Sequence, residues 1–283
     1  MQSDSGGAFA FKAREIEELA DVYFFRPLGF GGALAARRIG LSPIQVTLIA
    51  AAVGIAGGAA LYDPRYGLAG FFLLIVHGIL DSSDGQLARL TGKTSDLGRV
   101  LDGAAGYVTH IAIYVALMLQ GAAAGDRSIV ALGFSAALCN MVQAQLYDYH
   151  RSSYIAVVVQ GGVGGRIRAV RSDDAARTVL AIYEGLAAML AGRHGEVERV
   201  IAQRARAGEV RPDDRALYRA CFYWPVRGWN LFGDNTRFYA IGLLAAIGQL
   251  PSFFTFVLVP MNAALVAVWL WQLAADRRFL ARV

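Results

Sequence analysis

The stretch Asp81-Ser82-Ser83-Asp84-Gly85-Gln86-Leu87-Ala88-Arg89, followed after eight residues by Gly98 and after three more by Asp102, places charge inside two apolar blocks. A carboxylate at membrane depth is costly, so such residues face a polar cavity and carry function. Asp81 and Asp84 stand three apart and share one face of a helix. Gly98, Asp102, Gly106 and His110 recur every four residues and line one stripe of the next helix. The short connection from Thr91 to Asp96 is expected to fold that helix back beside the first. Three carboxylates from two antiparallel helices then converge, an oxygen donor set suited to a hard divalent cation such as Mg2+ or Mn2+.

The rest of the chain agrees with a membrane setting. Of 283 residues, 56% are hydrophobic and 17% charged, and the apolar residues fall in blocks. Each block approaches the roughly 20 residues that cross a bilayer as helix. The expected architecture is all-α and integral to the membrane, with six transmembrane helices near 41–62, 67–90, 97–121, 128–148, 235–250 and 253–275. The spacing over residues 10–24 predicts an amphipathic helix at the membrane surface. Residues 1–40 thus form an N-terminal cytoplasmic segment and 41–283 the membrane domain, with a polar insert at about 149–234. Met1–Gly7 is polar without Lys or Arg, unlike a cleaved signal peptide. Small residues such as Gly54, Gly57 and Gly58 permit close helix contact.

Arginine and lysine set the orientation. With a cytoplasmic N-terminus, only Arg65 and Arg127 fall in the outer turns, whereas Arg37, Arg38, Arg89, Lys93, Arg99, the insert, Arg277, Arg278 and Arg282 fall inside. This is the bias of the positive-inside rule, and it faces the carboxylates to the cytoplasm. Cys139 and Cys221 are too few for a disulfide framework or a cysteine metal site and read as packing residues. No nucleic-acid module is present in the sequence.

The run from Asp81 to Asp102 resembles the signature of CDP-alcohol phosphotransferases, D-x2-D-G-x2-A-R-x8-G-x3-D-x3-D. Seven of its eight fixed positions match in order and spacing. Ser42-Pro43 and Thr47, at the start of the first span, also resemble the family, as do the six helices and the N-terminal surface helix. The resemblance implies an enzyme whose acidic residues hold divalent metal against the pyrophosphate of a CDP-linked donor. An acceptor hydroxyl then attacks the phosphorus nearer the alcohol, and CMP leaves. By position, Asp81, Asp84 and Asp102 would be metal ligands. Gly85, Ala88, Arg89 and Gly98, with Pro43 and Thr47, would line the cytidine and phosphate site. CDP-diacylglycerol is the expected donor, with an unidentified alcohol acceptor, membrane lipid around the protein and a homodimer as the assembly. The same signature also serves enzymes that use a soluble CDP-headgroup donor and a lipid acceptor.

The sequence departs from the pattern at one position. The eighth fixed residue, an aspartate that takes the acceptor's proton in the family, is Gly106 here. His110, one turn further along the stripe, and His77, one turn before Asp81, are candidate bases. Both also suit interhelical hydrogen bonding. The alternative is a member that binds CDP-alcohol and metal without efficient transfer. A transporter is the more distant reading, since no internal repeat is visible.

The weaker signals lie in and after the insert. Gly161–Gly165 with Arg166, Arg168 and Arg171 reads as a phosphate cradle or a flexible basic turn. An Arg-rich helical stretch is expected from Asp173 to Arg206. Arg199, Arg204, Arg206, Arg211, Arg215 and Arg219 read as a solvated face or a site for anionic headgroups. Phe222, Tyr223, Trp224, Trp229 and Phe232 read as an interfacial belt, with Arg237 entering the membrane at the level of the carboxylates as a substrate-binding candidate. Asp148 and His150 are expected at the same depth.

Overall fold

A computed structural model describes residues 14–163 and 192–283, and throughout them the chain is helical. The longer helices are α1 (Arg26–Arg38), α2 (Pro43–Ala60), α3 (Gly67–Thr91), α4 (Asp96–Ala123) and α5 (Ser128–Tyr154). They continue with α6 (His194–Arg204), α7 (Pro212–Trp229), α8 (Asp234–Ala246), α9 (Phe253–Phe256) and α10 (Asn262–Leu280). Residues 1–13 and 164–191, which include the Gly164–Arg171 part of the glycine–arginine run and most of the expected helix from Asp173, lie outside the described residues.

Among the described residues, five stretches are long and apolar enough to cross a bilayer: Pro43–Ala60, Pro64–Thr91, Leu97–Ala123, Ser128–Val159 and Leu250–Leu280. With the family assignment reached below, they mark an integral membrane protein. The span expected at 235–250 is α8, a helix of 13 residues. Such a helix is about 20 Å long, against a hydrocarbon core of about 30 Å. The fourth span runs further than the sequence suggests. Its helix passes the polar residues 148–153 and continues through a π-helical turn at Ile155–Val159, so the insert begins after it. Residues 148–153 break the hydropathy pattern, but several are held by internal partners: Tyr149 and Ser153 hydroxyls both donate to Glu198. At the N-terminus a short 3-10 turn, Arg14–Ile16, precedes a π-helical turn at Asp21–Phe25 that leads into α1. Residues 10–13 of the expected surface helix lie outside the described residues.

The chain divides into two compact units. The first comprises Glu18–Leu138 and Asp234–Leu258. Its centre is α2, which packs along both α3 and α4, while α3 and α4 touch each other little among the described residues. Glycine makes this approach possible. A Cβ on Gly58 would lie 2.8 Å from the Ala112 Cβ and the Ile113 amide nitrogen. One on Gly57 would lie 3.1 Å from the Gly70 carbonyl oxygen, and one on Gly54 would collide with Thr109 and His77. On another side of α3, α1 lays Gly29 and Gly32 against Ser82 and Ser83, and the Gln86 amide donates to the Arg26 carbonyl at 3.0 Å. The positions that the signature leaves open are therefore where α1 packs. α8 also packs on α3, with Gly242 against the ring of Phe71. α3 ends at Gly92, whose φ of +65° is the left-handed stop that glycine adopts freely, and Ser95 caps α4 by accepting from the Gly98 amide.

The second unit comprises residues 14–17, the described part of Cys139–Gly233, and Val259–Val283. Tyr218, Phe222, Val226 and Trp229 recur along one face of α7 and are buried. The first three join Val197 and Ile201 of α6 and Ala275 and Phe279 of α10. This corrects the expected aromatic belt: Phe222, Trp229 and Phe232 are core residues, and of the tryptophans in the segment Trp224 alone is strongly exposed, at 62%. Most of the arginine cluster is exposed, as a solvated face would be, but three of its members are tethered to the unit. Arg204 pairs with Asp214 and donates to the Val283 carbonyl, Arg215 donates to the Val158 carbonyl, and Arg219 pairs with Glu15. His150 stacks on Trp229 with centroids 4.7 Å apart, inside the same core.

Gly58→Val is expected to lower the unfolding free energy in lipid by about 2 kcal/mol or more, as overpacking against backbone does. Gly31→Ala on α1, where an added Cβ meets no atom of the described residues within 4 Å, is expected to be neutral or to stabilise by up to about 1 kcal/mol. Thermal unfolding of the two variants beside the parent checks the contrast.

Candidate functional site

The acidic site is assembled within the first unit, from the start of α2, the last turns of α3 and the first turns of α4. α2 begins with a capping box: the Gln45 amide donates to Ser42 Oγ at 3.3 Å, and the Ser42 amide donates to Gln45 Oε1 at 2.8 Å. Pro43 occupies the first helical turn, where its missing N–H costs nothing. One turn on, Thr47 Oγ1 donates to Asp84 Oδ2 at 2.5 Å, with the Pro43 carbonyl as a second acceptor at 3.1 Å. Thr47 is buried, and its hydroxyl is engaged by the Asp84 carboxylate. Its place is thus behind an acidic residue, a detail that sequence matching does not give.

Asp81, Asp84 and Asp102 each offer a carboxylate oxygen, and these oxygens lie within 4.8 Å of one another. Asp84 is buried, Asp81 half-buried and Asp102 exposed, so the cluster opens outward from the α2–α3 contact. At an effective dielectric of about 20, two unit charges at that distance repel by roughly 3.5 kcal/mol. A divalent cation relieves this repulsion, and its opposite ligands stand about 4–5 Å apart. The donor set therefore fits the metal that the resemblance implies.

Around the carboxylates the helix surfaces are low. Among the described residues, a Cβ on Gly85 would meet only the Arg89 guanidinium, at 3.5 Å, and one on Gly98 only Ser95 Oγ, at 3.0 Å. Arg89 is exposed and lies within electrostatic reach of Asp84, and Ala88 is half-buried on the same helix. Pro43, Thr47, Gly85, Ala88, Arg89 and Gly98 thus fall within the same unit as the carboxylates. At Gly106 an added Cβ would meet no atom of the described residues within 4 Å.

The two histidines are held by their neighbours. His77 is buried and donates from Nδ1 to the Ala50 carbonyl of α2 at 2.9 Å. His110 Nδ1 lies 3.0 Å from the Gly106 carbonyl, and Nε2 lies 3.3 Å from Asp234 Oδ1. Nδ1 pairs with the Gly106 carbonyl, while Nε2 is buried and lies close to Asp234 without hydrogen-bond geometry. The ring of Phe238 stacks on His110 at 5.9 Å and meets His77 edge-on at 6.3 Å. Arg237 is 1% exposed, within electrostatic reach of Asp234, Glu18 and Tyr114, so its guanidinium lies inside the unit.

Asp234 is the residue that sequence reading passes over. It opens α8, its side chain is 59% exposed, and it lies within electrostatic reach of Asp81 and His77 as well as beside His110. The signal for it is slight: an acid after Gly233, one turn before Arg237, just ahead of an apolar block. Its neighbour Asn235 donates to Glu18 at 2.8 Å and to Asp21 at 3.0 Å, which pins this end of α8.

Among known proteins, the chain is 27% identical to a phosphatidylinositol phosphate synthase of Streptomyces avermitilis over 179 residues, 63% of this chain and 68% of that one. It is 32% identical to an archaetidylinositol phosphate synthase of Pyrococcus horikoshii over 94 residues, 33% of this chain and 50% of that one. No solved structure matches. The family model for CDP-alcohol phosphatidyltransferases matches residues 40–197, which hold the whole carboxylate cluster. That match covers more than half of the 283 residues, and the chain belongs to the CDP-alcohol phosphatidyltransferase family.

Proposed function

We propose that this protein transfers a phosphatidyl-type group from a CDP-linked lipid, CDP-diacylglycerol being the expected donor, to a phosphorylated polyol such as inositol phosphate, with release of CMP. The observation that carries the reading is the convergence of Asp81, Asp84 and Asp102 within 4.8 Å on the family signature. The names of the two relatives support a lipid donor and a phosphorylated inositol acceptor over a soluble headgroup donor. The lysine and arginine distribution supports a site on the cytoplasmic side.

In this reading the three aspartates hold Mg2+ or Mn2+, with Thr47 fixing Asp84 so that Oδ1 remains for the metal. The bound cation would neutralise pyrophosphate charge and ease departure of CMP. Arg89 adds positive charge on the exposed side of α3, and the low surface at Gly85 and Gly98 lets the nucleotide approach the helix backbone. Catalysis is then chiefly positioning and charge neutralisation, as is usual for phosphoryl-type transfer.

A second reading is favoured by one feature, the glycine at 106. In it the chain binds donor and metal but transfers slowly, for want of a base.

Thr47→Val is expected to weaken Mn2+ binding about tenfold, the usual cost of losing a group that orients a ligand; a Mn2+ titration followed by electron paramagnetic resonance checks it. Asp84→Asn is expected to abolish Mg2+-dependent CMP release from CDP-diacylglycerol with inositol phosphate in lipid. Release by the parent supports the transferase reading, and release only by Gly106→Asp supports the silent one. No release by either, across polyol and amino-alcohol acceptors as well, would remove the donor assignment.

A further inference from the structure

The signature places seven of its eight residues on α3 and α4, and the position of the eighth stands open. An added Cβ at Gly106 meets no described atom within 4 Å. The Gly106 carbonyl nevertheless holds His110 Nδ1 at 3.0 Å, and the other ring nitrogen of His110 stands 3.3 Å from a carboxylate that comes from α8. That carboxylate, Asp234, is 59% exposed, and the acidic cluster is within its electrostatic reach through Asp81. Its position is determined from several sides: Asn235 by Glu18 and Asp21, Phe238 by the two histidines, and Gly242 by Phe71.

We propose that Asp234 is the fourth carboxylate of this active site, supplied from α8 beside His110 in place of the residue missing at 106. The assignment rests on the transferase reading above. His110 Nε2 approaches Asp234 at Oδ1, 3.3 Å away, and Oδ2 is the oxygen offered to the acceptor. In the reaction the acceptor hydroxyl gives its proton to the Asp234 carboxylate. The hydroxyl oxygen forms a bond to the phosphorus that bears the lipid alcohol. The bond from that phosphorus to the bridging oxygen breaks, and CMP leaves with the oxygen and the electron pair. The proton then passes from Asp234 to solvent, through its exposed face. His110 is a positioning residue here: Nδ1 is anchored on the Gly106 carbonyl, and Nε2 stands 3.3 Å from Asp234 Oδ1.

This assignment makes the glycine intelligible. With a carboxylate already entering from α8, a second one at 106 would add another like charge beside Asp102. Glycine leaves that volume to the incoming side chain and the acceptor.

The test uses the full chain in lipid, with the variants Asp234→Asn, Gly106→Asp, Gly106→Asp/Asp234→Asn and His110→Ala. Two measurements are made: Mn2+ binding without substrate, and CMP release from CDP-diacylglycerol with inositol phosphate. Asp234→Asn is expected to reduce CMP release about a hundredfold or more, the usual contribution of a general base. It is also expected to weaken Mn2+ binding several-fold, because the cluster loses a nearby negative charge. Gly106→Asp/Asp234→Asn is expected to recover at least tenfold in CMP release and to restore Mn2+ affinity, since a carboxylate returns by the other route. His110→Ala is expected to reduce release in the parent and to have no further effect once Asp234 is asparagine, the non-additivity of residues acting through one another. Where the parent releases CMP, an Asp234→Asn variant within threefold of it in either measurement would overturn the proposal, and so would a double variant no better than Asp234→Asn. If the parent releases no CMP while Asp234→Asn still weakens Mn2+ binding, Asp234 keeps its place in the cluster and the donor and acceptor assignment falls instead.

Discussion

Everything in the acidic site depends on how closely α2 approaches its two neighbours. α3 and α4 carry the three aspartates but touch each other little, so their relative position is set by the helix that packs along both. That helix can do so because Gly54, Gly57 and Gly58 present backbone where other residues would present side chains. In a bilayer, where helix association gains little from the hydrophobic effect, such close backbone contact is the main source of adhesion. The same contact brings Thr47 up to Asp84, so the packing of α2 and the orientation of an acidic side chain are one event.

The electrostatic consequence is a cluster of like charge with a graded exposure, from buried Asp84 to exposed Asp102. Such an arrangement is unfavourable alone and favours whatever cation and phosphate enter it. It also needs firm support, and α3 receives it from three helices: α2, α1 and α8. Ser82, Ser83 and Gln86, which the signature leaves open, face α1, while Phe71 supports α8. Asp81 and Asp84 are thus mounted on the most heavily packed helix of the first unit. Against this rigid background the glycine at 106 is a local opening, bordered by the His110–Asp234 contact.

The second unit shows how a polar, arginine-rich segment builds a core. α7 sorts its aromatic residues to one face, and the arginines close the periphery by pairing with Asp214 and Glu15 or by donating to carbonyls at Val158 and Val283. Inside, His194 lies between Asp276, at 2.7 Å, and the Tyr218 hydroxyl, at 3.0 Å. Buried polar groups of this kind need several correctly placed partners, and the three residues come from three different helices.

What the sequence by itself determined is the part governed by local spacing and by the solvent. Helical class, the long apolar spans and the convergence of Asp81, Asp84 and Asp102 follow from residue periodicity and from the cost of charge in a bilayer. The use of Gly54, Gly57 and Gly58 as contact points was legible for the same reason. Only the tertiary structure decided which groups satisfy one another across long separations in the chain. It placed Thr47 behind Asp84, gave Phe222, Trp229 and Phe232 to a core, tied Arg204 to Asp214 and set Asp234 beside His110. These are pairings between residues ten to more than a hundred positions apart, and no local pattern encodes a partner that chain folding alone brings near.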